Sequence, residues 1–214
     1  MATHLHMGWP NRITLGRLLA IGPFVVCLLN LDQPDRVWLR WVAIIIFVLM
    51  GLSDLVDGYL ARLLKDESPL GAFLDPLADK LFITFSVIIL CIKGIHFRDS
   101  FGADVVLALP NWVAVAAISK DLVVSMGFGV IYLITGRVFI QPRRLGKWCT
   151  TVQLALVLCV LLWPSLPQQL GRLPEALWYA ATAMAILATL DYIRLGSRFL
   201  GTTATEAKGN GKGE

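Results

Sequence analysis

Long apolar runs alternate with short polar stretches along most of the chain. The runs approach or exceed the roughly 20 residues that an α-helix needs to cross the hydrocarbon of a bilayer. This pattern predicts an all-α polytopic membrane protein with six transmembrane helices, and no repeat recurs at a fixed period. The predicted spans are residues 13–31, 37–62, 70–92, 104–134, 147–163 and 174–195.

The two ends of the chain are more polar than the spans. Residues 3–12 predict a short N-terminal interfacial helix, with Trp9 at the depth of the lipid headgroups. The segment 201–214 is polar and rich in glycine, which predicts a disordered tail. We therefore expect one membrane domain over residues 1–200, followed by the tail.

Composition supports a lipid environment and argues against a nucleic-acid partner. Hydrophobic residues make up 57% of the chain and charged residues 16%, whereas soluble domains are about 45–50% apolar. The net charge of +4 is not concentrated in a basic run with interleaved aromatic residues. The lipid bilayer is therefore the expected partner of the chain.

Lysine and arginine are distributed unevenly between the two sides of the predicted bundle. One side carries 12 of them and the other side 5. The positive-inside rule makes the richer side cytoplasmic, which predicts a cell (inner) membrane protein with both termini and the active site facing the cytoplasm. The richer side comprises Arg12, Arg17, Arg62, Lys65, Arg137, Arg143, Arg144, Lys147, Arg194, Arg198, Lys208 and Lys212.

Four aspartates stand beside the apolar runs of the second and third predicted helices. Asp54 and Asp57 are three positions apart, so they share one helix face. Asp75 and Asp79, four positions apart, do the same. Because a short loop joins the two helices, all four carboxylates can converge at the cytoplasmic membrane edge. Two Mg²⁺ or Mn²⁺ ions would relieve their mutual repulsion, since hard ions prefer oxygen ligands.

Other interpretations of the acids remain open at this stage. An aspartate followed by proline, as at Asp75, is ordinary N-cap chemistry. Arg62 and Lys80 could neutralise two acids as structural ion pairs. Acids within a membrane also mark ion pathways, so a small ion or metal transporter is an alternative of another class. Clustering at one end of two adjacent helices, beside an arginine, favours a phosphate-bearing ligand instead.

The spacing of these residues resembles the signature of the CDP-alcohol phosphatidyltransferases. It reads Asp54-x-x-Asp57-Gly58-x-x-Ala61-Arg62, then eight residues, then Gly71-x-x-x-Asp75-x-x-x-Asp79. The resemblance implies an enzyme that displaces CMP from CDP-diacylglycerol with an alcohol, and it carries the expectation of a homodimer. The implied metal ligands are Asp54, Asp57, Asp75 and Asp79, with Asp79 also the catalytic base. The implied CDP-donor residues are Asp54, Gly58, Ala61, Arg62, Ser68 and Gly71.

Three further stretches bear on the acceptor alcohol. The opening "PNRITLGRLL", with Asn11, Thr14 and Arg17, resembles phosphatidylglycerophosphate synthases and eukaryotic-type cardiolipin synthases. The stretches "ISKDLVV" and "LGKWCTTVQ" resemble the fourth- and fifth-helix segments of both. The resemblance therefore leaves two acceptors, sn-glycerol 3-phosphate and phosphatidylglycerol.

A basic group near the fourth and fifth predicted helices favours an acceptor that carries phosphate. Lys120 lies inside a predicted span, where an unpaired ammonium is costly. Arg143, Arg144 and Lys147 lie just before the fifth helix. The alternative is that Lys120 pairs with Asp121 or with one of the motif acids and that the arginines serve only topology. We expect transfer of a phosphatidyl group to sn-glycerol 3-phosphate, with cardiolipin synthesis from phosphatidylglycerol as the alternative.

Overall fold

The computed structural model describes residues 9–31, 36–64, 69–98, 104–135, 144–166 and 172–210. Side chains are described for residues 15–31, 36–53, 78–98, 104–127, 145–166 and 172–197. The described chain forms the helices α1 (Trp9–Leu29), α2 (Val37–Leu64), α3 (Pro69–Ile92), α4 (Asn111–Thr135), α5 (Arg144–Leu162) and α6 (Leu173–Asn210). The strands β1 (Ile95–Arg98) and β2 (Asp104–Leu107) form a hairpin between α3 and α4. The all-α class is confirmed, with this hairpin as an addition.

Two segments of the described chain are long and apolar enough to cross a membrane. They are Leu145–Ser165 and Leu173–Ser197, and shorter apolar helical stretches cover Leu15–Leu29 and Val37–Ser53. Large apolar side chains are exposed on the outside of the helices, for example Ile92. Such a surface suits lipid rather than water. The count of six spans stays a prediction.

A cluster of three phenylalanines joins the first three helices. The ring centroids of Phe24 and Phe82 lie 4.9 Å apart, and those of Phe47 and Phe82 lie 5.2 Å apart. All three rings are buried and tilted against one another, which is a favourable aromatic geometry. This phenylalanine cluster fixes α1, α2 and α3 at one level of the bundle. The other main contacts join α6 to α4 and α5.

The prediction of helix over residues 104–134 is wrong at its beginning. Residues 104–107 form β2, which pairs antiparallel with β1 from Ile95↔Leu107 to Arg98↔Asp104, and α4 begins only at Asn111. Proline at position 110 disfavours helical backbone in the residue before it. Gly94, with φ of 66°, turns the chain from α3 into β1, and a Cβ there would lie 2.9 Å from the carbonyl oxygen of Leu107.

The ends of the bundle also differ from expectation. Residues 9–12 are the first turn of α1 rather than part of a separate interfacial helix, and residues 1–8 lie outside the described chain. Helix α6 continues to Asn210, into the segment 201–214 predicted to be disordered. Alanine, glutamate and lysine within this segment favour helix, and extending a helix is easier than starting one. The domain boundary at residue 200 stays a prediction.

Candidate active site

A cavity of about 250 Å³ opens between α3, α4, α5 and α6. Eight of its eleven lining residues carry a charged, hydroxyl or amide group, although much of the lining surface is apolar. We call it the polar cavity. Polar groups that converge on a space inside a bundle mark a candidate binding site. Its lining residues are Asp79, Lys80, Ile83, Lys120, Asp121, Val124, Gly146, Lys147, Thr150, Gln153 and Tyr192.

The carboxylate of Asp79, on α3, is held by an arginine from α1. The Arg17 Nη1 donates a hydrogen bond of 2.8 Å to Asp79 Oδ1. The Arg17 side chain is only 3% exposed, whereas that of Asp79 is 43% exposed. A buried guanidinium needs such a partner. The contact therefore orients the Asp79 carboxylate, and the Asp79 side chain remains partly exposed.

Asp79 also lines a second, smaller cavity of about 70 Å³ on the side of α1 and α2. Arg17, Met50 and Gly51 line this smaller cavity and not the polar one. On α2, Gly51 precedes Asp54 by three residues, or just under one helical turn. Asp79 thus stands between the polar cavity and the part of α2 that leads to the predicted metal ligands.

Three lysines give the polar cavity its positive charge. Lys120 is buried, and its Nζ lies 3.3 Å from Asp121 Oδ1. The Nζ of Lys80 lies 3.8 Å from the same oxygen. Lys147, in the first turn of α5, is exposed. The predicted pairing of Lys120 with Asp121 therefore exists. It does not remove Lys120 from the cavity, because one carboxylate faces two ammonium groups and Lys147 adds a third.

One face of α5 forms a wall of the polar cavity. Gly146, Lys147, Thr150 and Gln153 all lie on this wall, as their helical spacing allows. The hydroxyl of Thr150 donates back to the carbonyl oxygen of Gly146, at 3.1 Å. A Cβ at Gly146 would lie 3.0 Å from the hydroxyl oxygen of Tyr192 on α6. The small residue lets the tyrosine reach the edge of the cavity.

A sequence model of the CDP-alcohol phosphatidyltransferases matches residues 7–190. This match covers most of the chain, including all of α1 to α5 and α6 as far as residue 190. The chain belongs to the CDP-alcohol phosphatidyltransferase family. Members of this family are membrane-bound and in general depend on divalent metal ions. Membership confirms the resemblance that the aspartate spacing carries, and it favours an enzyme over a transporter.

Curated relatives of this chain in the family carry two different names. A protein of Cereibacter sphaeroides named CDP-diacylglycerol–glycerol-3-phosphate 3-phosphatidyltransferase is 31% identical over 85% of this chain and 76% of its own length. A Bacillus subtilis protein of the same name is 34% identical over 80% of this chain and 86% of its own length. A CMP-forming cardiolipin synthase of Oryza sativa is 29% identical, over 86% of this chain and 56% of its own length.

The backbone places the family's motif positions at one end of α2 and α3. Helix α2 ends at Leu64 and α3 begins at Pro69, so the chain leaves one helix and enters the next at the same end. Asp54 lies seven residues after Phe47, and Asp75 lies seven residues before Phe82. Both positions are therefore about 10 Å along the helix axis from the phenylalanine cluster, towards that end.

The donor set at this end suits a hard divalent cation. The four motif positions supply only carboxylates, and Asp79 already lies on the wall of both cavities. One of its oxygens accepts from Arg17, and carboxylate oxygens are the ligands that hard divalent cations prefer. Within the described side chains, no three histidine, cysteine or acidic residues form a metal site. The side chains of Asp54, Asp57 and Asp75 are not among those described.

Several predicted site residues stay predictions for the same reason. The donor residues Gly58, Ala61, Arg62 and Gly71 lie on described backbone of α2 and α3, but their surroundings are outside the described side chains. Ser68 and Arg143 lie outside the described residues altogether. Arg144 is the first residue of α5, and its side chain is not described. The structure brings together Asp79, Lys120 and Lys147 from the predicted set.

Sequence reasoning missed several residues of the site. Arg17 was noted only as a motif position, not as the partner of Asp79. Gln153 and Tyr192 were not singled out, although both line the polar cavity. A signal for Arg17 and Gln153 was present, because each is a polar residue inside an apolar helix. Such residues need a partner within the bundle.

Proposed function

We propose that this protein transfers a phosphatidyl group from CDP-diacylglycerol to sn-glycerol 3-phosphate, with release of CMP and formation of phosphatidylglycerophosphate. The observation that carries the proposal is the polar cavity, because Asp79, Lys120 and Lys147 all line it. The names of the relatives from Cereibacter sphaeroides and Bacillus subtilis support the same reaction.

The lysines of the polar cavity bind the acceptor phosphate in this proposal. Lys120 is buried and Lys147 lies in the first turn of α5. A phosphate that reaches Lys120 therefore loses part of its hydration shell. Charge-assisted hydrogen bonds to a dianionic phosphate contribute about 1.5–3 kcal/mol each. Asp121 holds Lys80 and Lys120 in position through its shared Oδ1. Arg144 is the first residue of α5 and Arg143 is the residue before it. Both extend the same basic group.

Asp79 acts as the general base. Its carboxylate takes the proton from the attacking hydroxyl of the acceptor, the hydroxyl oxygen bonds to the phosphorus of the phosphatidyl group, and the bond from that phosphorus to CMP breaks. A carboxylate base needs to stay ionised and oriented. The Arg17 guanidinium orients the carboxylate through its 2.8 Å hydrogen bond to Oδ1. The position of Asp79 between the two cavities puts it between donor and acceptor.

The donor occupies the α2–α3 end of the bundle. Asp54, Asp57, Asp75 and Asp79 would hold two Mg²⁺ or Mn²⁺ ions there. Such a pair neutralises pyrophosphate charge and stabilises the charge that develops on both oxygens at phosphorus. Gly58, Ala61, Arg62, Ser68 and Gly71 would contact the cytidine diphosphate. The acyl chains of the donor remain in the bilayer, while the acceptor enters the polar cavity from water.

The proposed setting is the inner membrane, with six spans and both termini in the cytoplasm. Its support is the excess of lysine and arginine on one side, together with the apolar helices of the bundle. The motif ends of α2 and α3 then face the cytoplasm, where a phosphorylated acceptor is available. Assembly as a homodimer is a further expectation.

A second function, cardiolipin synthesis, has its own support. The Oryza sativa relative carries that name at 29% identity. Ser119-Lys120-Asp121 also resembles the Ser-Arg-Asp of cardiolipin synthases more than the Ala-Arg-Glu that is common in synthases using glycerol 3-phosphate. Its acceptor, phosphatidylglycerol, also carries a phosphate, so the lysines of the polar cavity suit it equally.

An acceptor panel separates these functions. Purified protein in detergent would receive labelled CDP-diacylglycerol with glycerol 3-phosphate, phosphatidylglycerol, serine or inositol phosphate in turn. We expect CMP release with glycerol 3-phosphate. Release only with phosphatidylglycerol would establish cardiolipin synthesis instead. Release only with serine would overturn the role given to the basic group.

A further inference from the structure

Gln153 differs from every other buried polar residue in the described part of the chain. It is 3% exposed, and no other described residue forms a hydrogen bond with its amide. The remaining buried polar side chains all have partners there. Arg17 pairs with Asp79, Arg40 with Ser165, Ser86 with the carbonyl oxygen of Phe82, and Lys120 with Asp121.

A primary amide without a protein partner is unfavourable among apolar helices unless water or a ligand reaches it. The amide can donate two hydrogen bonds and accept two. Because Gln153 lies on the wall of the polar cavity, the group that satisfies it must enter that cavity. An amide that the fold leaves without a protein partner at such a point is suited to a ligand.

The position of Gln153 indicates which part of a ligand it meets. On the cavity wall of α5, Gln153 is the residue farthest from the helix N-terminus, six residues beyond Lys147. Six residues correspond to about 9 Å along the helix. Gln153 lines the polar cavity but not the smaller cavity with Arg17. It therefore faces the part of the bound molecule that lies beyond the phosphate, away from Lys147.

We propose that the Gln153 amide binds the secondary hydroxyl of a glycerol-phosphate acceptor and so selects that acceptor. This inference rests on the proposed function. The lysines meet the phosphate and Asp79 meets the reacting primary hydroxyl, which leaves the secondary hydroxyl between them. A hydroxyl both donates and accepts, as an amide does, and neither brings a charge near Asp79. Free glycerol 3-phosphate and the headgroup of phosphatidylglycerol share this glycerol-phosphate unit.

The test compares two acceptors that differ only in the secondary hydroxyl. They are glycerol 3-phosphate and 3-hydroxypropyl phosphate, which keeps the phosphate and the reacting hydroxyl. The wild-type kcat/KM should favour glycerol 3-phosphate by roughly tenfold or more. Gln153→Met keeps the length of the side chain without its amide, and it should bring the two values within about threefold of each other. The donor KM should stay unchanged.

Matched variants guard against a purely structural effect. Thr151→Val changes an exposed residue of the same helix that does not line the cavity, and it should keep the wild-type preference. Gln153→Asn retains the amide but withdraws it from the cavity. If Gln153→Met does not fold, loss of preference in Gln153→Asn supports the inference. Wild-type preference retained in whichever of the two variants folds overturns it.

The same experiment distinguishes failure of this inference from failure of the proposed function. If the wild type uses phosphatidylglycerol and not glycerol 3-phosphate, the proposed function fails. The comparison then uses phosphatidylglycerol and its 1,3-propanediol analogue, and loss of preference in Gln153→Met still supports the role of the amide. A wild type that uses neither glycerol-phosphate acceptor overturns both.

Discussion

The phenylalanine cluster and the polar cavity lie less than one helical turn apart on α3, yet they are built in opposite ways. Phe82 is buried among aromatic rings from two other helices, whereas Asp79 is 43% exposed and ion-paired. The cluster excludes water and gains its stability from burial. The cavity keeps charged groups together for a ligand. Within three residues of α3, Phe82 therefore contributes mainly to stability and Asp79 mainly to catalysis. Substitutions at the two positions should have correspondingly different effects.

The largest effect on activity is expected from Asp79→Asn. The amide keeps the shape of the side chain but cannot serve as the base, so kcat should fall by about 10²–10⁴-fold. Donor KM should change much less, because the lost interaction belongs to the transition state. The measurement is CMP release at saturating substrates. The control is Asp104→Asn, in an exposed pair with Arg98. A collapse of donor binding with kcat intact would make Asp79 a ligand rather than a base.

Phe82→Ala should lower stability and leave acceptor binding unchanged. Truncation of a buried aromatic side chain lowers the free energy of unfolding by about 3–5 kcal/mol, because Phe24 and Phe47 lose their central neighbour. The expected result is a much lower thermal midpoint in detergent, with an unchanged acceptor KM for the protein that remains folded. Phe85→Ala is the matched control, since Phe85 is 41% exposed on the same helix. Equal midpoints for both variants would contradict the cluster's role.

Lys147→Ala tests the mouth of the polar cavity. Loss of one cation from a dianionic phosphate should raise the acceptor KM about ten- to hundredfold and leave the donor KM nearly unchanged. Initial rates over a range of glycerol 3-phosphate concentrations measure this. The control is Lys93→Ala. Lys93 directly follows the C-terminal end of α3, outside the polar cavity, so the acceptor KM and the donor KM should both stay unchanged. An equal rise in both KM values for Lys147→Ala would place this lysine on the donor.

The smallest effect is expected from Gly146→Ala. The added Cβ would lie 3.0 Å from the Tyr192 hydroxyl, so the tyrosine must shift by a few tenths of an ångström at the cavity edge. We expect the acceptor KM to rise by about two- to fivefold, although alanine favours the helix by up to about 1 kcal/mol. Gly127→Ala has open space around its Cβ and should leave KM unchanged. Identical kinetics for both variants would show that the Tyr192 contact is dispensable.

The sequence predicted the helices and part of the site because those features are local. Helical spacing alone relates Asp75 to Asp79, and the apolar runs locate most of α2, α3 and α5. The hairpin escaped prediction because the apolar residues 105–109 are too short a run to distinguish strand from helix. The contact of Arg17 with Asp79 escaped because it depends on packing between helices that are distant along the chain.

The ion pair between Arg17 and Asp79 also has a consequence for biogenesis. The two residues are 62 positions apart, so at 5–20 residues per second Arg17 is synthesised about 3–12 s before its partner. During that interval the Arg17 guanidinium cannot form this ion pair, and a long basic side chain can keep its charge near a membrane surface. We expect α1 to reach its final position in the bundle only after α3 has been synthesised, because this contact joins the two helices.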